Sequence, residues 1–286
     1  MKTLKNIFTL IVGLLFAQVS FGADLIEATD LAKIMKNDNV VIISAQSSSA
    51  YNDFHITGSI SLSPAILVNN EPLPYMLKDV AEMEQILGAK GVSRTSQIII
   101  YDEGSYKYSG RLYWTLKYLG ATDVKILNGG IEAWKANRKP VTSTPTNLKA
   151  STFTANVQEQ YLANLTEVKK AVSDKNYVII DARSEAEYNG TDETNLRPGH
   201  ILNAVHIDYV DVIASNGELK STEELSALYT AKGVTPDKTV IIYCKTSVRA
   251  AIEFAALNSI LGYENVKVYD GAFVEWSSDT STEVVQ

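Results

Sequence analysis

Short runs of β-branched residues alternate along the chain with longer stretches in which apolar residues recur every three or four positions. Residues 40–43, 98–101 and 124–127 are almost uniformly apolar, which predicts strands buried on both faces of a sheet. Two helical patterns lie between them, 82–87 and the "GRLYWTLKYLG" of 110–120, the second closed by Gly120 as a C-cap. A further helix carrying Trp134 follows Gly129. The order then recurs, with strands at 178–180, 240–243 and 266–269, helices at 222–229 and 249–262, and a Trp276-bearing helix after Gly271. This alternation predicts an α/β fold with mostly parallel sheets covered by helices on both faces.

The recurrence extends to residue identity. "VVIISAQSSSAYN" (40–52) and "YVIIDARSEAEYN" (177–189) share seven of thirteen residues. "AKGV" at 89 and 231, "IIYD" and "IIYC" at 99 and 241, and "DVKILNGGIEAW" and "NVKVYDGAFVEW" at 123 and 265 all recur at one offset of 142 residues. So long a period means two duplicated domains rather than a solenoid. The expected division is a first domain over 23–140, a Thr- and Ser-rich linker over 141–160 and a second domain over 161–286.

The first 22 residues stand apart. Lys2 and Lys5 precede an apolar stretch ending near Val19, and Ser20-Phe21-Gly22 offers small residues where a signal peptidase reads, so residues 1–22 are expected to be a secretory signal peptide cleaved after Gly22. The apolar run is short for a membrane span, and no stable membrane insertion is expected after cleavage. The expected location is periplasmic or secreted. A net charge of −7 gives no general basic field, which argues against nucleic acid as a partner. Three histidines and one cysteine make a zinc site improbable, and no metal or other cofactor is expected.

The one cysteine, Cys244, ends the predicted strand 240–243, with "KTSVR" separating it from the next helix. In parallel α/β sheets, sites form beyond the carboxyl ends of strands, where loops lead into helices. A loop as short as 244–249 can curl its N–H groups into a cradle for an anion, and for a cysteine that anion is its own thiolate. Lys245 and Arg249 add positive charge. An unpaired thiol in an oxidising compartment, with Asp102 at the same place in the first copy, fits one catalytic domain and one degenerate domain. The alternative is a buried cysteine acting as a small hydrophobe.

The second half resembles the rhodanese (sulfurtransferase) family, and the whole chain after residue 24 is similar to its tandem two-domain form. The resemblance rests on "DARSEAEY" (181–188), "RPGHILNAV" (197–205), "CKTSVR" (244–249) and "YDGAFVEW" (269–276), with "GRLYW" (110–114) and "LNGGIEAW" (127–134) in the first half. It implies two tandem rhodanese-like domains, the first non-catalytic. It also implies a relay in which Cys244 takes a sulfane sulfur from a small anionic donor and passes it to a nucleophile such as cyanide or a small-molecule or protein thiol. Donor-binding positions implied are Arg111, reaching across from the first domain, and the loop residues Lys245, Thr246, Ser247, Val248 and Arg249. Two cations at the loop favour thiosulfate; relatives that use 3-mercaptopyruvate typically carry an uncharged, Gly-rich loop, and that donor is the alternative. Ser247 stands where many tandem members have Gly, Arg249 where they have Thr, and "DGAF" where "DGSW" is frequent.

Two rival readings use the same cysteine. A cysteine-dependent phosphatase needs C-x5-R, but Arg249 stands five residues after Cys244 and position 250 is Ala, one residue too short for a phosphate cradle. A sulfur-carrier or binding module would accept one sulfur without turnover. His55 and His200, which recur in both copies, are expected to serve the fold, as are Trp134, Trp276 and the pair Asp181 and Arg183.

Overall fold

The computed structural model describes residues 24–192 and 196–286; the expected signal peptide lies outside them. Two five-stranded sheets form, and every pairing within them is parallel. In the first, Gln97–Tyr101 is central, flanked on one side by Val40–Ser44 and Ile60–Ser61 and on the other by Asp123–Leu127 and Leu25–Ile26. The second repeats this order with Thr239–Tyr243 central, flanked by Tyr177–Asp181 and Val205–His206, and by Val266–Tyr269 and Leu162–Ala163. The central strands are buried on both faces, as uniformly apolar runs require. Predicted helices form at Val80–Ala89, Lys107–Tyr118 and Thr222–Ala231, while the last predicted helix runs as Ala250–Phe254 and then widens into a π-helical segment, Ala255–Ile260. Among the described residues no helix is long and apolar enough to cross a membrane.

The histidines and tryptophans that recur in both copies hold equivalent places. His55 stacks on Tyr51 and His200 on Tyr188, each with ring centroids 3.7 Å apart, and Nδ1 of each meets the carbonyl of its tyrosine. Trp134 and Trp276 are core residues whose indole N–H groups donate to the carbonyls of Pro140 and Glu283. The segment after 140 is strapped to the first domain: Val141–Thr142 pairs antiparallel with His55–Ile56, as Val284–Val285 pairs with His200–Ile201 in the second.

The domains meet helix to helix. Gly110 of Lys107–Tyr118 lies against Ile252 of Ala250–Phe254, and a Cβ on Gly110 would come within 2.9 Å of the Ile252 nitrogen. These residues are 142 apart, so equivalent points of the two copies touch at an approximate two-fold axis. Each copy also sends a strap across that axis. The Leu77 N–H donates to Asp270 Oδ2 at 2.8 Å, and its counterpart, the Leu219 N–H, donates to Asn128 Oδ1 at 3.0 Å. The shared apolar core runs continuously through both domains.

Candidate active site

Cys244 sits where the central strand Thr239–Tyr243 ends, one residue beyond the sheet, and only 1% of it is exposed. The register that places it there is fixed on both sides: the strand pairs with Tyr177–Asp181 and Val266–Tyr269, and Tyr243 is buried against its neighbours. The loop is pinned from behind. The N–H groups of Phe273 and Val274 donate to the carbonyls of Cys244 and Lys245 at 2.9 and 3.2 Å. Ser247 turns its side chain inward, its hydroxyl donating to the carbonyl of Tyr269 and, at 3.2 Å, to that of Asp270. Its φ of +59° is left-handed, the conformation that favours glycine, and those two bonds offset the roughly 1 kcal/mol cost of a Cβ there. Ser247 therefore offers a ligand only its backbone.

The first copy shows what such a loop holds. The buried Asp102 carboxylate accepts the N–H groups of Gly104, Tyr106, Tyr108 and Ser109 at 2.9 to 3.2 Å and the Ser109 hydroxyl at 3.0 Å. Burial raises this carboxyl above its usual range, and the hydrogen bonds oppose that. The loop is a cradle of converging N–H groups closed around its own side-chain anion.

The cations divide. Arg249 is bound to Glu187 by two hydrogen bonds of 2.6 and 2.9 Å. Burial alone would lower the Arg249 guanidinium, but Glu187 and the charge of a Cys244 thiolate outweigh it and raise it. Burial likewise raises Glu187, and its bonds to Arg249 and Ser184 bring it below the usual carboxylate range. Lys245 is half-buried beside Cys244. Arg111 is fully buried, donating from Nη2 to Asp270 Oδ1 at 2.7 Å and to the Tyr75 carbonyl at 2.9 Å, with its guanidinium 4.7 Å from the Trp114 ring. Its Nε and Nη1 have no hydrogen-bond partner among the described residues. It is linked to the Cys244 loop through Asp270, whose carbonyl Ser247 holds.

An open depression of about 410 Å³ lies at the loop, walled on the second-domain side by Thr246, Val248, Arg249 and Tyr209. Its first-domain wall is Tyr75, Lys107 and Tyr108. Sequence reasoning did not single out these tyrosines, Lys107, Glu187 or Asp270. Behind the loop, the expected Asp181–Arg183 pair is present and buried: Nη2 meets Oδ2 at 2.6 Å, the Tyr243 hydroxyl donates to the same oxygen at 2.6 Å, and the guanidinium lies 3.8 Å from the Phe273 ring centroid. No group of His, Cys, Asp and Glu able to hold a metal occurs among the described residues.

The family described as "Rhodanese-like domain" matches twice, at residues 27–137 and 164–279. A putative thiosulfate sulfurtransferase of Haloferax volcanii is 32% identical over 80% of this chain and 82% of its own. The 3-mercaptopyruvate sulfurtransferase of Escherichia coli K12 is 33% identical over the same shares. The crystal structure of the E. coli 3-mercaptopyruvate enzyme SseA superposes with a TM-score of 0.81 at 31% identity, covering 87% of this chain and 98% of that one. An anaerobic ergothioneine biosynthesis enzyme from Chlorobium limicola shares the fold, at a TM-score of 0.85 and 20% identity over 91% of this chain and 69% of that one. With both sheets, both family matches and the sulfurtransferase relatives in agreement, the chain belongs to the rhodanese family of sulfurtransferases as a tandem two-domain member.

Proposed function

We propose that this protein moves a sulfane sulfur from thiosulfate to a nucleophilic acceptor through a persulfide on Cys244, and that it does so in a periplasm or outside the cell. The observation that carries the reading is the Asp102 loop, an N–H cradle around an anion at the position that Cys244 occupies in the second copy. In the reaction the Cys244 thiolate attacks the outer sulfur of thiosulfate. The S–S bond breaks with its electron pair going to sulfite, and Cys–S–S⁻ remains. Cyanide or a thiolate then attacks the outer sulfur, and the Cys244 thiolate departs. The backbone N–H groups of Thr246 to Val248 are assigned to the thiolate and persulfide charge, as an oxyanion hole serves a developing anion. Lys245, Arg249 and the unpartnered Nε and Nη1 of Arg111 are assigned to the donor's sulfonate.

3-Mercaptopyruvate remains the competing donor, favoured by the 33% identity to the E. coli enzyme and by Glu187, which neutralises Arg249. A side-by-side comparison decides: sulfite release from thiosulfate and pyruvate release from 3-mercaptopyruvate, each with cyanide as acceptor. The expected kcat/KM is at least tenfold higher with thiosulfate, and the reverse order would replace it as the donor.

A further inference from the structure

The depression over the Cys244 loop is larger than either a thiosulfate or a cyanide ion needs. At about 410 Å³ it has room for on the order of a dozen water-sized groups. The cations that line it are Lys107 and Arg249; Arg249 is held by Glu187 from behind, so Lys107 sets the sign of the wall. Tyr75, Tyr108 and Tyr209 line it from three separate segments.

Tyr75 distinguishes this wall from a passive surface. It has a φ of +66°, in the left-handed region that costs a side-chain-bearing residue about 1 kcal/mol or more. Its counterpart 142 residues on is Gly217, with a φ of +82°. Both residues belong to the straps that cross the two-fold axis, and both carbonyls accept a hydrogen bond, Tyr75 from Arg111 and Gly217 from the Tyr106 hydroxyl. The fold thus accommodates glycine at this point in one copy and holds a tyrosine there only in the strap that lines the depression beside Thr246, Val248 and Arg249. Besides the donor role assigned to the Nε and Nη1 of Arg111, its Nη2 on the Tyr75 carbonyl and Asp270 on the Leu77 N–H fix the strained tyrosine at the edge of the depression.

Resting on the sulfurtransferase reading above, we infer that this vestibule is an acceptor site selective for small organic thiols that carry a carboxylate, with Lys107 and Tyr75 as specificity determinants. The acceptor thiolate attacks the outer sulfur of Cys244–S–S⁻, the S–S bond breaks towards Cys244, and the product leaves as R–S–S⁻; two anions enter the step and two leave. The Lys107 ammonium and the tyrosine hydroxyl groups meet the acceptor's carboxylate while the ring faces cover its carbon chain.

The test uses the full-length protein, thiosulfate as donor, and 3-mercaptopropionate, 2-mercaptoethanol and cysteamine as anionic, neutral and cationic probes of similar length. Each rate is referred to the thiolate concentration of its probe. The expected acceptor kcat/KM falls in that order, by about tenfold from first to last. Lys107→Met should reduce the spread to about twofold, since an exposed ion pair accounts for a factor of a few. Tyr75→Gly, which restores the residue of the other strap and carries no folding risk at that φ, should raise the KM for 3-mercaptopropionate several-fold. Equal rates for the three thiols would overturn the inference, as would effects of these variants on donor kcat/KM in place of acceptor kcat/KM. Failure of stoichiometric thiosulfate to release sulfite from the protein would instead defeat the underlying reading.

Discussion

The loops at 102–107 and 244–249 occupy the same place at the end of a central strand, and they differ in what fills them. In the first copy the carboxylate of Asp102 satisfies four backbone N–H groups, so the cradle is closed by the chain itself. In the second the side chain is a single thiol, and the left-handed residue is Ser247, one position earlier by register than Tyr106. The strands behind the loops differ in the same direction. Ala45 and Ala182 each donate to the carbonyl of the equivalent tyrosine at 2.8 Å, so the backbones agree. Yet the buried ion pair Asp181–Arg183 behind the cysteine is replaced in the first copy by a neutral hydrogen bond of 3.0 Å from Ser44 to Gln46. Duplication kept the scaffold, and the copy with the thiol alone carries a buried pair of full charges, bonded to Tyr243 and set against Phe273.

Four substitutions test this contrast, from the largest effect to the smallest. Cys244→Asp makes the second loop chemically like the first; sulfur transfer should vanish from steady-state assays while circular dichroism shows the fold retained. Arg183→Met leaves Asp181 buried without its cation and should cost about 3–5 kcal/mol in urea unfolding, whereas Gln46→Met in the first copy should cost about 1 kcal/mol. Similar costs at the two sites would break the comparison. Asp102→Asn turns an amide N–H₂ towards N–H donors and should destabilise by about 1–3 kcal/mol, with thiosulfate:cyanide turnover within twofold of wild type.

The smallest effect is the pH dependence from Glu187. Its carboxyl is held below the unfolded value of about 4.3, so its contribution is present above that pH and lost as pH falls through the folded value. Melting temperature should therefore drop more steeply between about pH 5 and 3 in wild type than in Glu187→Gln, measured by differential scanning calorimetry. Parallel curves would remove the Glu187–Arg249 pair from the account.

Much of this architecture was legible in the sequence, because strand burial, duplication and the placement of Cys244 are written in local patterns. Short, largely apolar and β-branched runs located all three principal strands of each copy, and the 142-residue offset located the equivalent loops. Arg249 and Glu187 lay in two separately recognised motifs, but 62 residues separate them and no local pattern announces their pairing. The Tyr75 strap was invisible for a similar reason. It acts across the two-fold axis, and its strain appears only as a backbone angle that Gly217 hides in the other copy. A direct comparison of positions 75 and 217 at the common offset was the one sequence signal able to find it.

Cys244 is the proposed carrier of the sulfur. Intact-mass spectrometry after one equivalent of thiosulfate, with sulfite measured in the same sample, tests it most directly. The expected result is one added sulfur atom per chain, mapped by peptide digestion to residues 244–249, matched by one sulfite, and removed by cyanide; Cys244→Ser should show neither. An unmodified wild-type chain, or an adduct that persists in Cys244→Ser, would contradict the account.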